Sequence, residues 1–164
     1  MANQIAVQIA PDFEARYPDA SARATACAMN LVFTADLLIK RIASLLQPFD
    51  LSPASALVLS IVADAESPLP PNKIADRLII SRATVTGLID SLERRGYVQR
   101  RPHHADRRML LVELTDTGRQ VANAFRPIVH HQQKMWLETL SEEEQQRLID
   151  SLQQVQATLM DSDG

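Results

Sequence analysis

The stretch RRPHHADRR, residues 100–108, sets four arginines and two histidines around a single aspartate. Guanidinium groups suit phosphate, because their planar fork donates paired hydrogen bonds to two oxygens. Upstream, SRATVTGLIDSLERR opens with small hydroxyl side chains and an arginine. Ser81 and Thr84 offer hydrogen bonds to phosphates or base edges, and Arg82 can reach a phosphate or take a guanine edge in bidentate fashion. Thr86 lies on the same polar face, and Arg94, Arg101, Arg107 and Arg108 add cationic contacts. The chemistry these residues imply is the grip of a polyanion rather than the making of a bond.

The charge distribution sharpens that expectation. The 164-residue chain has a formal net charge of −3, yet residues 72–108 hold nine basic against four acidic residues. That segment is therefore +5 and the remainder −8, so a cationic region sits inside an anionic chain. Catalytic arrangements are missing from the sequence. No phosphate-cradling glycine loop, nucleophile elbow or paired carboxylate in apolar surroundings is found, which implies a protein that is not an enzyme. His103–His104 and His130–His131 lack a cysteine or carboxylate partner at ligand spacing, so neither a metal nor a cofactor is implied. The single cysteine, Cys27, shares an apolar helix face with Leu31 and Leu38 and reads as an inert core thiol.

The elements that must hold these residues are mainly helical. Residues 1–20 read as a loose arm with one helical turn. From Ala20 to about Gln47, Cys27, Leu31, Ala35, Leu38, Ile42 and Leu45 recur at spacings of three and four, one face of a long helix. Ser52 caps the next helix with Pro53 at its first position. Ala56, Leu57, Leu59, Ser60, Ile61 and Val62 make that helix apolar and buried, and DAESPLPP reads as a loop. Pro71 opens a short helix with Ile74, Ala75 and Leu78 inward. After a tight turn Ser81 caps another, lined by Val85, Leu88, Ile89 and Leu92 and stopped by Gly96. Its opposite face shows Arg82, Thr84, Thr86, Asp90 and Glu93. Gly87 costs about 1 kcal/mol relative to alanine in a helix, which is explained by close approach of a DNA strand or by helix–helix packing. YVQRR and MLLVEL read as a hairpin.

Thr115 caps a further helix to about Leu140, in which Pro127 predicts a kink or break. Ser141 and Glu144 form a capping box. The last helix carries a seam of Leu148, Leu152, Val155 and Leu159 near a seven-residue repeat, as an interface between copies requires. Met135 and Trp136 are expected at that seam. The fold class is mainly α with a small β-hairpin wing: a winged helix-turn-helix domain flanked by N- and C-terminal dimerisation helices. The divisions fall at 1–47, 48–118 and 119–164. In such a fold the second helix of the motif enters the major groove and the hairpin tip lies along the backbone or in the minor groove. Asp106 then holds the Arg108 guanidinium extended, or caps the turn. No apolar run is long enough for a membrane span and no signal peptide is evident, so a cytoplasmic protein is expected.

The segment SRATVTGLIDSLERRGYVQRRPHHADRRMLLVELTDTG resembles the recognition helix and wing of the MarR family of winged helix-turn-helix regulators. The resemblance rests on ATVTGLIDSLERRGYV, the DRR wing tip and V-E-L-T-x-x-G, and is specific over residues 51–118. It implies a homodimer on a pseudo-palindromic double-stranded DNA operator, and a repressor of transcription released by a small aromatic or phenolic effector. Arg23, Met29 and Phe33 are the candidate pocket residues. It also implies two half-sites roughly 34–36 Å apart. Two departures stand out. Met109 follows DRR where the family often has Ser or Ala. Ile79 occupies a turn position where such motifs often place Gly, and would be strained if that position needs positive φ. Three other readings stay open: a winged-helix protein-interaction module without DNA binding, an oxidant-sensing regulator using Cys27, and an architectural DNA binder without ligand control.

Overall fold

The computed structural model describes residues 7, 9–103 and 109–161. The candidate residues Asp106, Arg107 and Arg108, with His104, lie outside the described residues. After a single helical turn, α1 (Phe13–Arg16), the chain runs through the long α2 (Ala22–Leu46) into a 3-10 turn at Gln47–Phe49. Then come α3 (Pro53–Ala63), α4 (Pro71–Leu78) and α5 (Arg82–Arg94). The hairpin β1 (Val98–Pro102) and β2 (Leu110–Leu114) follows, with α6 (Asp116–Leu137) and α7 (Glu142–Asp161) closing the chain.

The helix starts follow from their caps. Side chains of Ser21, Ser52, Ser81 and Thr115 each accept a hydrogen bond from the backbone N–H three residues on, satisfying one of the donors a helix start leaves orphaned. Glu144 reaches back to the Ser141 N–H at 2.8 Å while its own N–H donates to Ser141 Oγ at 3.3 Å, completing the capping box. The Ser141 backbone hydrogen bond, and then its hydroxyl, hold the Glu144 carboxyl below its ordinary value. Gly96, with φ of 70°, ends α5. Its N–H and that of Tyr97 return to the carbonyls of Glu93 and Leu92.

The core belongs to the middle of the chain. Leu46, Val58, Leu59, Ile74, Val85, Ile89, Leu92, Val98 and Val112 are fully enclosed. α3 is the hub, packed against α2, α4, α5, α6 and β2. β1 and β2 are antiparallel with Arg100 opposite Val112. A single bridging residue, Leu69, joins β2, its N–H and C=O both pairing with Val112 at 3.0 and 2.8 Å. The loop expected over residues 64–71 thus contains a sheet edge. Its single bridging residue is too short a run to leave a pattern in the sequence.

Four further expectations are corrected. Leu57 is 54% exposed and Val58 takes the buried place, because α3 presents Ser55, Ala56, Val58, Leu59 and Val62 inward. Of the kink or break expected at Pro127, the break does not occur, since α6 runs from Asp116 to Leu137; a proline removes one i→i−4 bond, and packing of Ala122 and Phe125 into the core holds the preceding turns. Cys27 is exposed rather than buried. The face it shares with Leu31 and Leu38 is exposed too, because the first half of α2 projects past the core and no other segment among the described residues covers it. Gly87 does not serve helix packing within the chain, since a Cβ there would meet nothing within 4 Å.

Candidate nucleic-acid interface

The turn from α4 into α5 is built from one unusual residue. Ile79 sits in the left-handed region, φ 54° and ψ 43°, and its N–H closes on the Ala75 carbonyl. The position therefore does need positive φ, and the β-branched side chain occupies it at a steric cost. Ile80 then returns its N–H to the same carbonyl at 3.4 Å. Ser81 turns extended, and α5 starts with its first residues pointing away from the core. Ser81 Oγ accepts from the Thr84 N–H at 3.1 Å and lies 2.8 Å from Thr84 Oγ1, so the two hydroxyls form a fixed pair. Thr86 donates its hydroxyl to the Arg82 carbonyl at 2.9 Å.

Helical periodicity sorts the rest of α5. Val85, Ile89 and Leu92 are buried, with Leu88 half-buried beside them. Opposite them lie Ala83, Gly87, Asp90 and Arg94, flanked by Arg82, Thr86 and Glu93. Arg82, Thr84, Thr86, Gly87 and Arg94 are all exposed. The open space over Gly87 lets a rigid partner come close to the helix backbone. Five of the expected contact residues, Ser81, Arg82, Thr84, Thr86 and Arg94, thus share one exposed surface. Arg101 sits on β1, half exposed, with its Nε 3.1 Å from Glu113 on β2.

Two arginines that the sequence reading left without a role hold this surface in place. Arg95, at the end of α5, donates to the Asp50 carbonyl at 2.5 Å, the Phe49 carbonyl at 3.1 Å and the Tyr97 hydroxyl at 3.2 Å. Its guanidinium also lies 4.7 Å from the Tyr97 ring centroid. Asp50 is itself left-handed, φ 53°. The end of α5 is therefore tied to the junction that leads out of α2. Phe49 in that junction packs edge-on against Phe125 of α6 at 6.1 Å. Arg100, on β1, reaches back to α5. Its Nη2 lies 2.5 Å from Asp90 Oδ1, Nη1 pairs with Glu93 Oε2, and its backbone N–H donates to Glu93 Oε1 at 3.0 Å. Burial pulls the guanidinium pKa down, but the Asp90 and Glu93 hydrogen bonds outweigh it and the net direction is up. Neither partnership has a local signal, since each spans elements that meet only in the fold. Two carboxylates on a face that otherwise carries hydroxyls and arginines were the nearest available hint.

A second feature lies on the other side of the core. Between α2 and α6 an open cavity of about 400 Å³ is lined by Thr34, Leu37, Leu38, Arg41, Gln132 and Trp136, among others. Arg23, Met29 and Phe33 lie outside it, on the exposed first half of α2. Met135 is exposed beside it and Trp136 is half-buried in its wall.

A model of the MarR family matches residues 49–109, from the end of the 3-10 turn to the start of β2. The transcriptional regulator SarZ of Staphylococcus epidermidis is 30% identical over 117 residues, 71% of this chain and 76% of SarZ. The chain belongs to the MarR family. The transcriptional repressor YetL of Bacillus subtilis is 34% identical over 103 residues. That alignment covers 62% of each chain, so the MarR-family chain spans somewhat under two thirds of YetL. The fold also matches the crystal structure of the S. aureus MepR–DNA complex, with a TM-score of 0.75 and 23% identity over 80% of this chain and 96% of MepR. No single helix among the described residues is long and apolar enough to cross a membrane.

Proposed function

We propose that this MarR-family chain is a homodimeric, DNA-binding transcriptional repressor that reads a pseudo-palindromic operator and is released by a small aromatic effector. The observation that carries the reading is the exposed face of α5. A hydroxyl pair, Arg82, Thr86 and Arg94 surround a backbone left open at Gly87, on a helix presented by a tight turn beside a hairpin. Small side chains permit close approach to base edges, and arginines take phosphates or guanines. YetL is named a repressor and MepR is solved on DNA, which supports the same reading.

Two copies extend the footprint of one helix and one wing. Val32, Leu37 and Ile39 on α2, with Val155 and Leu159 on α7, expose apolar surface that a monomer in water does not keep open. The seam Leu148, Leu152, Val155 and Leu159 and the first half of α2 would then form the dimer contact. The effector would occupy the cavity between α2 and α6, where Trp136 offers a face for a ring and Arg41 a charge for an acid group.

Fluorescence anisotropy with duplexes selected from a random pool tests the core of this reading. The expected outcome is a two-fold symmetric consensus, bound with an affinity that falls steeply as salt rises. Binding of no duplex at low ionic strength would leave the protein-interaction reading. The effector claim is tested separately, by displacement of the selected duplex with a panel of aromatic and phenolic acids. No release by any of them favours the architectural reading.

A further inference from the structure

Asp90 and Glu93 pose a problem for the proposed function, on which this inference rests. Both project from α5, and Asp90 shares with Gly87 and Arg94 the face turned away from the core. Asp90 remains 46% exposed and Glu93 36%. Each phosphate of a duplex carries a negative charge, so bare carboxylates on this face would repel the ligand the face is built to hold.

Arg100 answers both carboxylates at once. Its side chain is only 19% exposed, with one guanidinium nitrogen on Asp90 and another on Glu93, while its own backbone N–H binds Glu93. A long cation folded inward in this way is spent on the protein and is poorly placed to reach solvent or phosphate. It also lies on β1, paired opposite Val112, so its grip fixes the root of the hairpin against α5.

We infer that Arg100 is a positioning residue for DNA recognition: it neutralises Asp90 and Glu93 on the reading helix and seats the wing against that helix, without itself contacting DNA. The assignment separates Arg100 from its neighbours in the basic run. Arg101 is half exposed and bound to β2, whereas Arg100 belongs to α5.

The test compares the full-length native chain with Arg100→Gln, Arg100→Lys and the triple variant Arg100→Gln, Asp90→Asn, Glu93→Gln. Affinity is read by anisotropy on the native chain's selected duplex, and hairpin opening by amide hydrogen exchange without DNA. Arg100→Gln should bind about tenfold more weakly, the scale of two uncompensated charges near phosphates in water. Its β1–β2 amides should exchange faster. Arg100→Lys should stay close to native, because the charge is kept. The triple variant should recover the electrostatic share of the lost affinity, because no bare carboxylate remains, while its hairpin still lacks the Arg100 clamp. A triple variant as weak as Arg100→Gln would show that Arg100 touches DNA or acts otherwise, and would overturn the inference. So would native-like binding by Arg100→Gln. If the native chain ignores every duplex, the operator reading fails instead. Hydrogen exchange then decides the clamp alone, and unchanged hairpin protection in Arg100→Gln would sink it.

Discussion

Ile79 and Gly118 are opposite cases of a residue meeting its backbone. Ile79 holds a left-handed conformation that costs a side-chain-bearing residue roughly 1–2 kcal/mol, and its side chain is 60% exposed, so little packing offsets that cost. Ile79→Gly relieves the strain but returns about 0.4–1 kcal/mol of chain entropy to the unfolded state. We predict a net gain in stability of about 0.5–1 kcal/mol in urea unfolding, with a loss arguing that the side chain is held by contacts not seen in one chain. Gly118 has ordinary helical surroundings but no room. A Cβ there would stand 1.8 Å from the Tyr97 carbonyl oxygen, a backbone atom that cannot swing aside. Alanine's better helix propensity, about 1 kcal/mol, is outweighed by overpacking of about 1–3 kcal/mol or more. Gly118→Ala should therefore lower the unfolding free energy, and a stabilised variant would mean that α6 shifts easily against the hairpin.

At the scale of elements, α5 is positioned from both ends. Its start is set locally, by Ile79 and the Ser81 cap. Its end is set by Arg95, which binds the carbonyls of Phe49 and Asp50 and so fastens α5 to the segment emerging from α2. The hydrogen bonds carry more weight than the ion pair, since Asp50 is 96% exposed and its carboxylate is screened by water. Arg95→Met keeps the hydrophobic stem and removes the donors. Hydrogen bonds from charged donors contribute about 1.5–3 kcal/mol, so we expect a loss of that order in urea unfolding. A change within experimental error would show that water replaces the clamp. Because α2 also lines the cavity with Arg41 and Leu45, this joint links a wall of the cavity to the end of α5.

For the whole molecule, the balance between buried and open apolar surface points to a partner. The central helices and hairpin enclose a complete core, while the long helices at either end leave large apolar side chains in solvent. Leu152 is half-buried and its seam neighbours Leu148, Val155 and Leu159 are 41%, 43% and 64% exposed. A charge on Leu152 would be desolvated in any interface along that seam. Leu152→Asp should shift the chain to monomers by light scattering while its circular dichroism stays helical. An unaltered dimer would place the contact on α2 alone.

Much of the exposed face of α5 was legible in the residues themselves, because the interactions that make it are short-ranged. Ser52, Ser81, Thr115 and Ser141 cap helices through bonds only three residues long. The periodicity of Val85, Ile89 and Leu92 sets which side of α5 faces out. Even the strain at Ile79 follows from the demands of the turn. What tertiary structure alone decided involves groups far apart in the chain: Arg95 on Phe49 and Asp50, Leu69 on Val112, and Gly118 against Tyr97. It also decided that Cys27 and the apolar face of α2 lie open within one chain. Composition and spacing mark a face as apolar, but whether that face is covered depends on where the other helices end. A guanidinium's partner likewise depends on which carboxylates the fold brings within reach, and so Arg100, which had no role of its own in the basic run, became a counter-ion of the helix beside it.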